Sequence, residues 1–424
     1  MKTDFDALIV GAGPAGSTAA ILLAQAGWSV ALLEKQIFPR RKVCGECLAA
    51  SNLPLLDALG IGSEFMARAG PELRHIAVMR GAGSIVADLP AAPHPKYPWG
   101  RALGREVLDT MLLERARAVG AEVLQPWVVQ KINDAAGLHQ CTVKESPSNS
   151  LAILQAPVVI LAHGSWEPLP TDRAEQRLAR SGSELLAFKA NFNGASLTPG
   201  LLPVLLFKGG YGGMVLADDG LTTLACSIRA DRLDALRRAA PGKRAGEVIE
   251  AMLKRECHGV GDALQGAVRQ GAWMASGPLA PGVRLQSKET VFRIGNVAGE
   301  AHPIIGEGMS MALQSAWLLC EKLVQARPLN PATVSASWQR AVRKDYAAQW
   351  RRAFVPRIRL ASAFAHLAMR PFSSAALMML LNRWPSLMTQ SATWAGKVNC
   401  AADATNVAEL TRSAQINASL GLLP

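Results

Sequence analysis

Three stretches of the chain are apolar at every position for the length of a short strand: Ala7-Leu-Ile-Val10, Val30-Ala-Leu-Leu33 and Val158-Val-Ile-Leu161. Runs without polar alternation predict strands covered on both faces, as in a parallel sheet. A fourth buried strand is expected at Val291-Phe-Arg-Ile-Gly295. Helical composition follows the first run at residues 17–26, and recurs at 52–59, 105–118 and 309–325, with Gly120 closing the amphipathic third helix. Strand patterns occupy 73–89, 122–131, 140–144 and 157–162. Short strands at 188–192, 204–207, 213–216 and 221–228, separated by turn glycines, then predict an antiparallel sheet. Residues 231–257 read as mostly helical with a break at Pro241-Gly242. From 332 onward the pattern is helical and is expected to break at Pro356, Pro371 and Pro385. The fold class is α/β with an added antiparallel sheet and a helical C-terminal region.

Composition narrows this picture. At 424 residues, half of them hydrophobic, the chain can bury more than one core, and two closely packed domains are expected. The net charge of +12 comes from scattered Lys and Arg, and with 3 Tyr and no RNA-binding aromatic motif it does not point to nucleic acid. It reads as a basic solvated surface, or as attraction to acidic ligands or an anionic membrane. The 7 cysteines, an odd number in a large chain, do not form a disulfide framework. No signal segment precedes Asp4 and no long uncharged apolar run occurs, so a reduced, cytoplasmic protein without a spanning helix is expected.

The first apolar run leads directly into Gly11-Ala-Gly-Pro-Ala-Gly16, and the second ends in Glu34. Gly11 permits the turn, Gly13 lets backbone approach a diphosphate, and Gly16 lets the helix pack on the strand. Glu34 is placed to accept hydrogen bonds from ribose hydroxyls. Strand, glycine turn, helix and acid in this order make a dinucleotide site. A basic turn follows, Arg40-Arg-Lys-Val-Cys-Gly-Glu-Cys47, and proline punctuates a binding-type loop at residues 90–99. Cys44 and Cys47 have no second pair at metal-ligand spacing, so no metal site is assigned.

Three separated pieces now stand together: the glycine unit, the helix opened by Arg105-Glu-Val-Leu-Asp109, and Gly295-Asn-Val-Ala-Gly-Glu-Ala-His-Pro-Ile-Ile-Gly-Glu-Gly308. On these motifs residues 5–330 resemble the FAD-dependent superfamily of aromatic hydroxylases, geranylgeranyl reductases and flavin-dependent halogenases, most of all the geranylgeranyl reductase-like tailoring oxidoreductases. The resemblance implies a glutathione-reductase-type, p-hydroxybenzoate hydroxylase-like FAD domain at 1–72, 100–183 and 286–330. It also implies an inserted substrate sheet at 73–99 and 184–285, with a helical region at 331–424. FAD would be bound by Gly11, Gly13, Pro14, Ala15, Gly16, Glu34, Lys35, Arg41, Cys44, Gly45, Arg105, Gly295, Asn296, Pro303, Gly306, Gly308 and Met309. Glu46 would join Arg41, Cys44 and Gly45 on the isoalloxazine side. The family's aspartates are replaced by Asn296 and, in the middle strand motif, by His163.

His302 and Tyr211 are the catalytic candidates, each with an equally open structural reading: a solvent-facing or packed histidine, and a packed turn aromatic in Gly209-Gly-Tyr-Gly-Gly213. Halogenation is disfavoured, since no W-x-W occurs and no lysine lies between Lys42 and Lys96. The stretch Tyr211-Gly-Gly-Met-Val-Leu-Ala217 lacks the tryptophan and F-P expected of a prenyl reductase. The resemblance thus favours a monooxygenase in which NAD(P)H binds transiently and reduces FAD, and O₂ forms a C4a-hydroperoxide that hydroxylates an aromatic or polyketide-like apolar substrate. Reduction of an isoprenoid or lipid double bond is the alternative, and a non-catalytic flavin-binding partner the competing class. The C-terminal apolar stretches 360–369 and 374–381, flanked by Arg357, Arg359, Arg370 and Arg383, read as core helices, a substrate tunnel, or a peripheral membrane or protein-partner contact. The substrate itself is expected to be small and apolar or carrier-bound.

Overall fold

Strands Ala7–Val10, Val30–Leu33 and Val158–Leu161 are buried at every position. They pair in parallel within a five-stranded sheet whose order is 292–293, 158–161, 7–10, 30–33 and 122–124. The computed structural model describes residues 2–135, 137–165, 182–285, 290–327, 334–399, 402–403 and 405–412. Successive side chains leave the sheet on opposite faces. Ala7, Ile9, Leu32 and Ile160 therefore meet the helices Pro14–Gln25, Arg105–Ala118 and Gly308–Gln325. Leu8, Val10, Leu33 and Val159 meet a three-stranded antiparallel sheet through Val129, Cys141, Val143 and Leu154. Burial of each of these large aliphatic side chains stabilises the layers by roughly 1.5–3 kcal/mol.

A seven-stranded mixed sheet forms the second layer system, in the order 268–279, 185–193, 222–229, 210–216, 201–207, 75–80 and 83–88. One of its faces is covered by helices Ala230–Ala239 and Ala245–Glu256. Its other face carries Val78, Ala187, Leu206 and Tyr211 and packs on Ala365, Ala368, Leu381 and Met388 of the C-terminal helices. A helix-covered parallel sheet, a seven-stranded mixed sheet and a helical C-terminal region together give the architecture that the resemblance implies.

Several expected elements differ. Residues 73–89 form a hairpin, His75–Arg80 with Gly83–Asp88, and the expected strand 122–131 is divided near Pro126 into Glu122–Leu124 and Trp127–Ala135. Leu151–Ala156 and Val268–Leu279 are strands that the sequence pattern does not announce. Pro356 does not break its helix: Ala336–Met369 runs through it. Proline removes one N–H bond there, but buried Phe354, Ile358 and Ala361 hold both flanking turns against the core. Pro371 and Pro385 do mark breaks, as the first residue of Pro371–Arg383 and the residue preceding Ser386–Trp394. Residue 332, the expected start of this region, lies outside the described residues.

Candidate functional site

A cavity of about 800 Å³ runs from the carboxyl ends of the parallel strands to the face of the seven-stranded sheet. At its first end Gly11 adopts φ +103°, and a Cβ there would stand 2.7 Å from the Ala162 carbonyl oxygen. A Cβ on Gly16 would collide with the Gly11 carbonyl oxygen at 1.8 Å. Only glycine permits this approach of turn, strand and helix. Helix Pro14–Gln25 begins here with no acidic residue in its first turn, so its exposed N–H groups and dipole favour an anion.

Glu34 is fixed before any ligand arrives: its carboxylate accepts from Ala12 N at 3.0 Å and Gln36 N at 3.0 Å. Arg105 forms a bidentate pair with buried Asp109, both bonds 2.7 Å. That pair outweighs the effect of burial and keeps the guanidinium charged. Arg40 reaches between Glu34 (3.5 Å) and Asp109 (3.6 Å). Its Nε and Nη1 are buried and have no hydrogen-bond partner among the described residues. Arg40 and Arg105 each bring a nitrogen within 3.9 Å of the position a Cβ would take on Gly13. Two guanidinium groups beside a glycine turn and a helix N-terminus make a donor set that fits the pyrophosphate of FAD.

The loop after Arg40 crosses to the other layer. Glu46, in the left-handed region at φ +59°, is 2 % exposed. It accepts from Lys189 Nζ, from Thr223 Oγ1 at 2.5 Å and from Arg105 N at 2.9 Å. One carboxylate thus joins the seven-stranded sheet to the helix that carries Arg105. Cys44 and Cys47 are free thiols, and burial raises the Cys47 thiol while Lys397 opposes the rise.

At the far end, Gly295 N donates to Ser315 Oγ at 2.8 Å, and Pro303–Ile305 leads through left-handed Gly306 into the long helix Gly308–Gln325. Fully buried Glu307 pairs with Lys397 at 3.0 Å, which fastens the C-terminal segment to this turn. Burial alone would lower the Lys397 ammonium; Glu307 and Cys47 outweigh it and hold it above its ordinary value. Asn296 lines the cavity and its backbone carbonyl accepts from Arg284. His163 lines the same space.

The two catalytic candidates, 91 positions apart, meet: Tyr211 Oη lies 2.9 Å from His302 Nδ1, and both residues are buried. His366 lies against the other side of His302, ring centroids 6.1 Å apart at 76°. Its Nδ1–H donates to the Ser362 carbonyl, 2.7 Å away, while the residue itself is exposed. Burial, helped by His366, pushes His302 down to about 4, so its ring is neutral near pH 7. Burial raises the Tyr211 phenol above its ordinary value. The His302 shift sets a stability slope. Below about pH 6.5 the unfolded histidine takes a proton that the folded one refuses, so stability falls as pH drops from about 6.5 to about 4. The loss across that window is at most about 3 kcal/mol. His302→Gln should flatten this part of the urea-midpoint profile between those pH values.

Every residue that the sequence marks for the cofactor lines this cavity except Gly16 and Arg41. Gly16 serves by packing on Gly11. Arg41 turns away, to Asn191 at 3.5 Å and Glu106 at 3.9 Å, and its side chain is 40 % exposed; Arg40 takes the inward place. Two features have no counterpart in the sequence motifs: Arg40 as the inward arginine and the Glu46–Lys189 junction. As for the tunnel reading of the C-terminal stretches, Leu377 and Leu381 of 374–381 do line the cavity, joined in one wall by Met388 and Lys397. The apolar, acid-free composition of residues 360–397 is the sequence signal for that wall. Among the described residues no His, Cys, Asp and Glu group could hold a metal ion.

Comparison with known proteins agrees with this geometry. The FAD binding domain family matches residues 4–328. The chain is 26% identical to conditioned medium factor receptor 1 of Dictyostelium discoideum over 76% of its own length, and spans 64% of that protein. It is 28% identical to the menaquinone reductase of Mycolicibacterium smegmatis, with 82% of each chain covered. With digeranylgeranylglycerophospholipid reductase 2 of Methanopyrus kandleri it shares 24% identity over 83% of each chain. The myxobacterial chondrochloren halogenase shares the fold, with a TM-score of 0.68 and 18% identity over 100% of this chain and 98% of that one. The match over more than half of the chain, together with a cavity built to hold the cofactor, establishes that the chain belongs to the FAD binding domain family and is an FAD-dependent oxidoreductase.

Proposed function

We propose that the enzyme reduces a carbon–carbon double bond in a long apolar, isoprenoid-like substrate, with NAD(P)H as a transient reductant. The observation that carries this reading is the Tyr211–His302 pair: Tyr211 lines a largely apolar cavity and buried, neutral His302 stands behind it. When bound, FAD held by the glycine turns and by Arg40 and Arg105 supplies the hydride equivalent. The chain's own task is to deliver the matching proton and to keep water away. With Nδ1–H of His302 donating to the phenol oxygen, the Tyr211 proton is free for the second alkene carbon, with the cavity-lining Ser227 hydroxyl beside it. The Nδ1 proton then passes to the phenolate while Nε2 takes one from solvent, and proton exchange with solvent restores the Nδ1–H tautomer for the next turnover. Hydride and proton together saturate the double bond, and the pair returns to its starting charge. The relatives named as menaquinone reductase and digeranylgeranylglycerophospholipid reductase match along most of their length and support a substrate of this class.

Hydroxylation of an aromatic or polyketide-like ring is the second reading, favoured by the apolar lining, which suits an oxygenation that water must not reach. One experiment separates them. Holoenzyme reduced anaerobically with NADPH is mixed with geranylgeranyl-chain or menaquinone acceptors, and the flavin absorbance and products are followed. Reoxidation without O₂, yielding an acceptor two hydrogens heavier, is expected. A reduced flavin that stays reduced until O₂ enters, with oxygen then found in the product, would overturn the reductase reading in favour of the second.

A further inference from the structure

The cavity reaches the surface through the C-terminal helices. Leu367, Leu380 and Trp394 line it and are 41%, 43% and 66% exposed. Around this mouth the surface is apolar. Helix Pro371–Arg383 turns Leu377, Met378 and Leu381 toward the sheet. Its opposite stripe, at 372, 376, 379, 380 and 383, follows helical spacing. On that stripe Phe372 is 93% exposed and Met379 75%, and Trp384, 50% exposed, follows directly. This helix bends 108° away from the preceding one, and among the described residues no single helix is long and apolar enough to cross a membrane.

The charge carried by the C-terminal segment itself has one sign, and the strand packed against it adds the exposed acid Asp88, which His75 pairs. No Asp or Glu occurs between Asp345 and Asp403, whereas Arg351, Arg352, Arg359, Arg370 and Arg383 are all exposed. A face meant for another copy of this basic chain would bring like charges together; a face meant for anionic headgroups would not. A short helix with an outward apolar stripe, a terminal arginine and a neighbouring tryptophan has the form of an interfacial helix. We propose that this face docks on an anionic lipid surface, with helix Pro371–Arg383 lying in the interface and the cavity mouth opening toward the acyl chains. Drawing an apolar substrate straight from the bilayer rests on the reductase reading; the docking itself does not.

The test uses flavin-loaded full-length protein. It is sedimented with vesicles of phosphatidylcholine containing about 30 mol% phosphatidylglycerol, and with phosphatidylcholine alone. Most of the protein should pellet with the anionic vesicles, at least about tenfold less with the neutral ones, and less again at about 0.5 M salt. Phe372→Asp with Met379→Asp, and separately Arg370→Glu with Arg383→Glu, should each abolish pelleting while the bound-flavin spectrum and NADPH reduction stay unchanged. These residues do not line the cavity, so lost docking and lost chemistry remain distinguishable. Wild-type protein left in the supernatant, or variants that pellet like wild type, would overturn the proposal. So would a dimer in solution that the Phe372→Asp, Met379→Asp variant dissolves, which would assign the face to a second copy.

Discussion

Replacing Tyr211 by Phe should lower turnover by about 10²- to 10⁴-fold, the range typical for loss of a positioned proton donor. The change removes one oxygen from a ring that is 1% exposed and leaves the sheet register of its strand intact. FAD content and the rate of reduction by NADPH should therefore remain as in the wild type. The defect should appear in kcat rather than KM, in the step where substrate reoxidises the flavin. His302 Nδ1 loses its partner in this variant, so a stability loss of roughly 1–3 kcal/mol accompanies the kinetic one. A variant with normal anaerobic reoxidation by substrate would remove Tyr211 from the chemistry and leave it the packed aromatic that its glycine-rich surroundings equally allow.

Replacing Lys189 by Met should destabilise the fold by about 3–5 kcal/mol, because it strands a buried carboxylate. Lys189 is 3% exposed and Glu46 2%, and neither can recover water without opening the junction between the two layers. Against a typical total stability of about 5–15 kcal/mol, this is among the largest effects one side chain can have. Glu46 also holds the first residue of helix Arg105–Ala118, so flavin affinity should fall along with the urea midpoint. Lys189→Met combined with Glu46→Gln should recover much of the loss, since the remaining amide carries no charge and keeps its contact with Thr223. A single variant that unfolds within about 1 kcal/mol of the wild type would show that the carboxylate finds other partners.

Much of the cofactor half of this protein is legible from its sequence, and the physical reason is coverage. Strands Ala7–Val10, Val30–Leu33 and Val158–Leu161 are buried on both faces and so have to be apolar throughout. Gly11 and Gly16 stand where any Cβ would strike backbone, which makes the turn visible as a motif. Strand Val268–Leu279 is hidden for the opposite reason: it lies at the edge of its sheet, mostly exposed, so no apolar alternation marks it. Arg40 and Arg41 are neighbours in an irregular loop, where no period tells which side chain turns inward. Tyr211 and His302 each look ordinary in their own stretch. Their significance is a tertiary contact, set by the strand that carries one and the Pro303 turn that follows the other.

The roof of the cavity has a consequence for how such an enzyme can change. The roof is supplied by residues beyond 360, among them Leu377, Leu381 and Met388, whereas the glycine turns, the arginines, the Tyr211–His302 pair and the apolar sheet face with Val78, Val204 and Leu206 lie within 4–328. One wall of what the protein accepts is thus written on a stretch of chain separate from the cofactor turns, held to the rest by apolar packing, by Lys397 on Glu307 and by Arg80 on Ser374. A lineage can therefore lengthen, widen or reshape the chamber through its last helices while the reactive half is inherited unchanged.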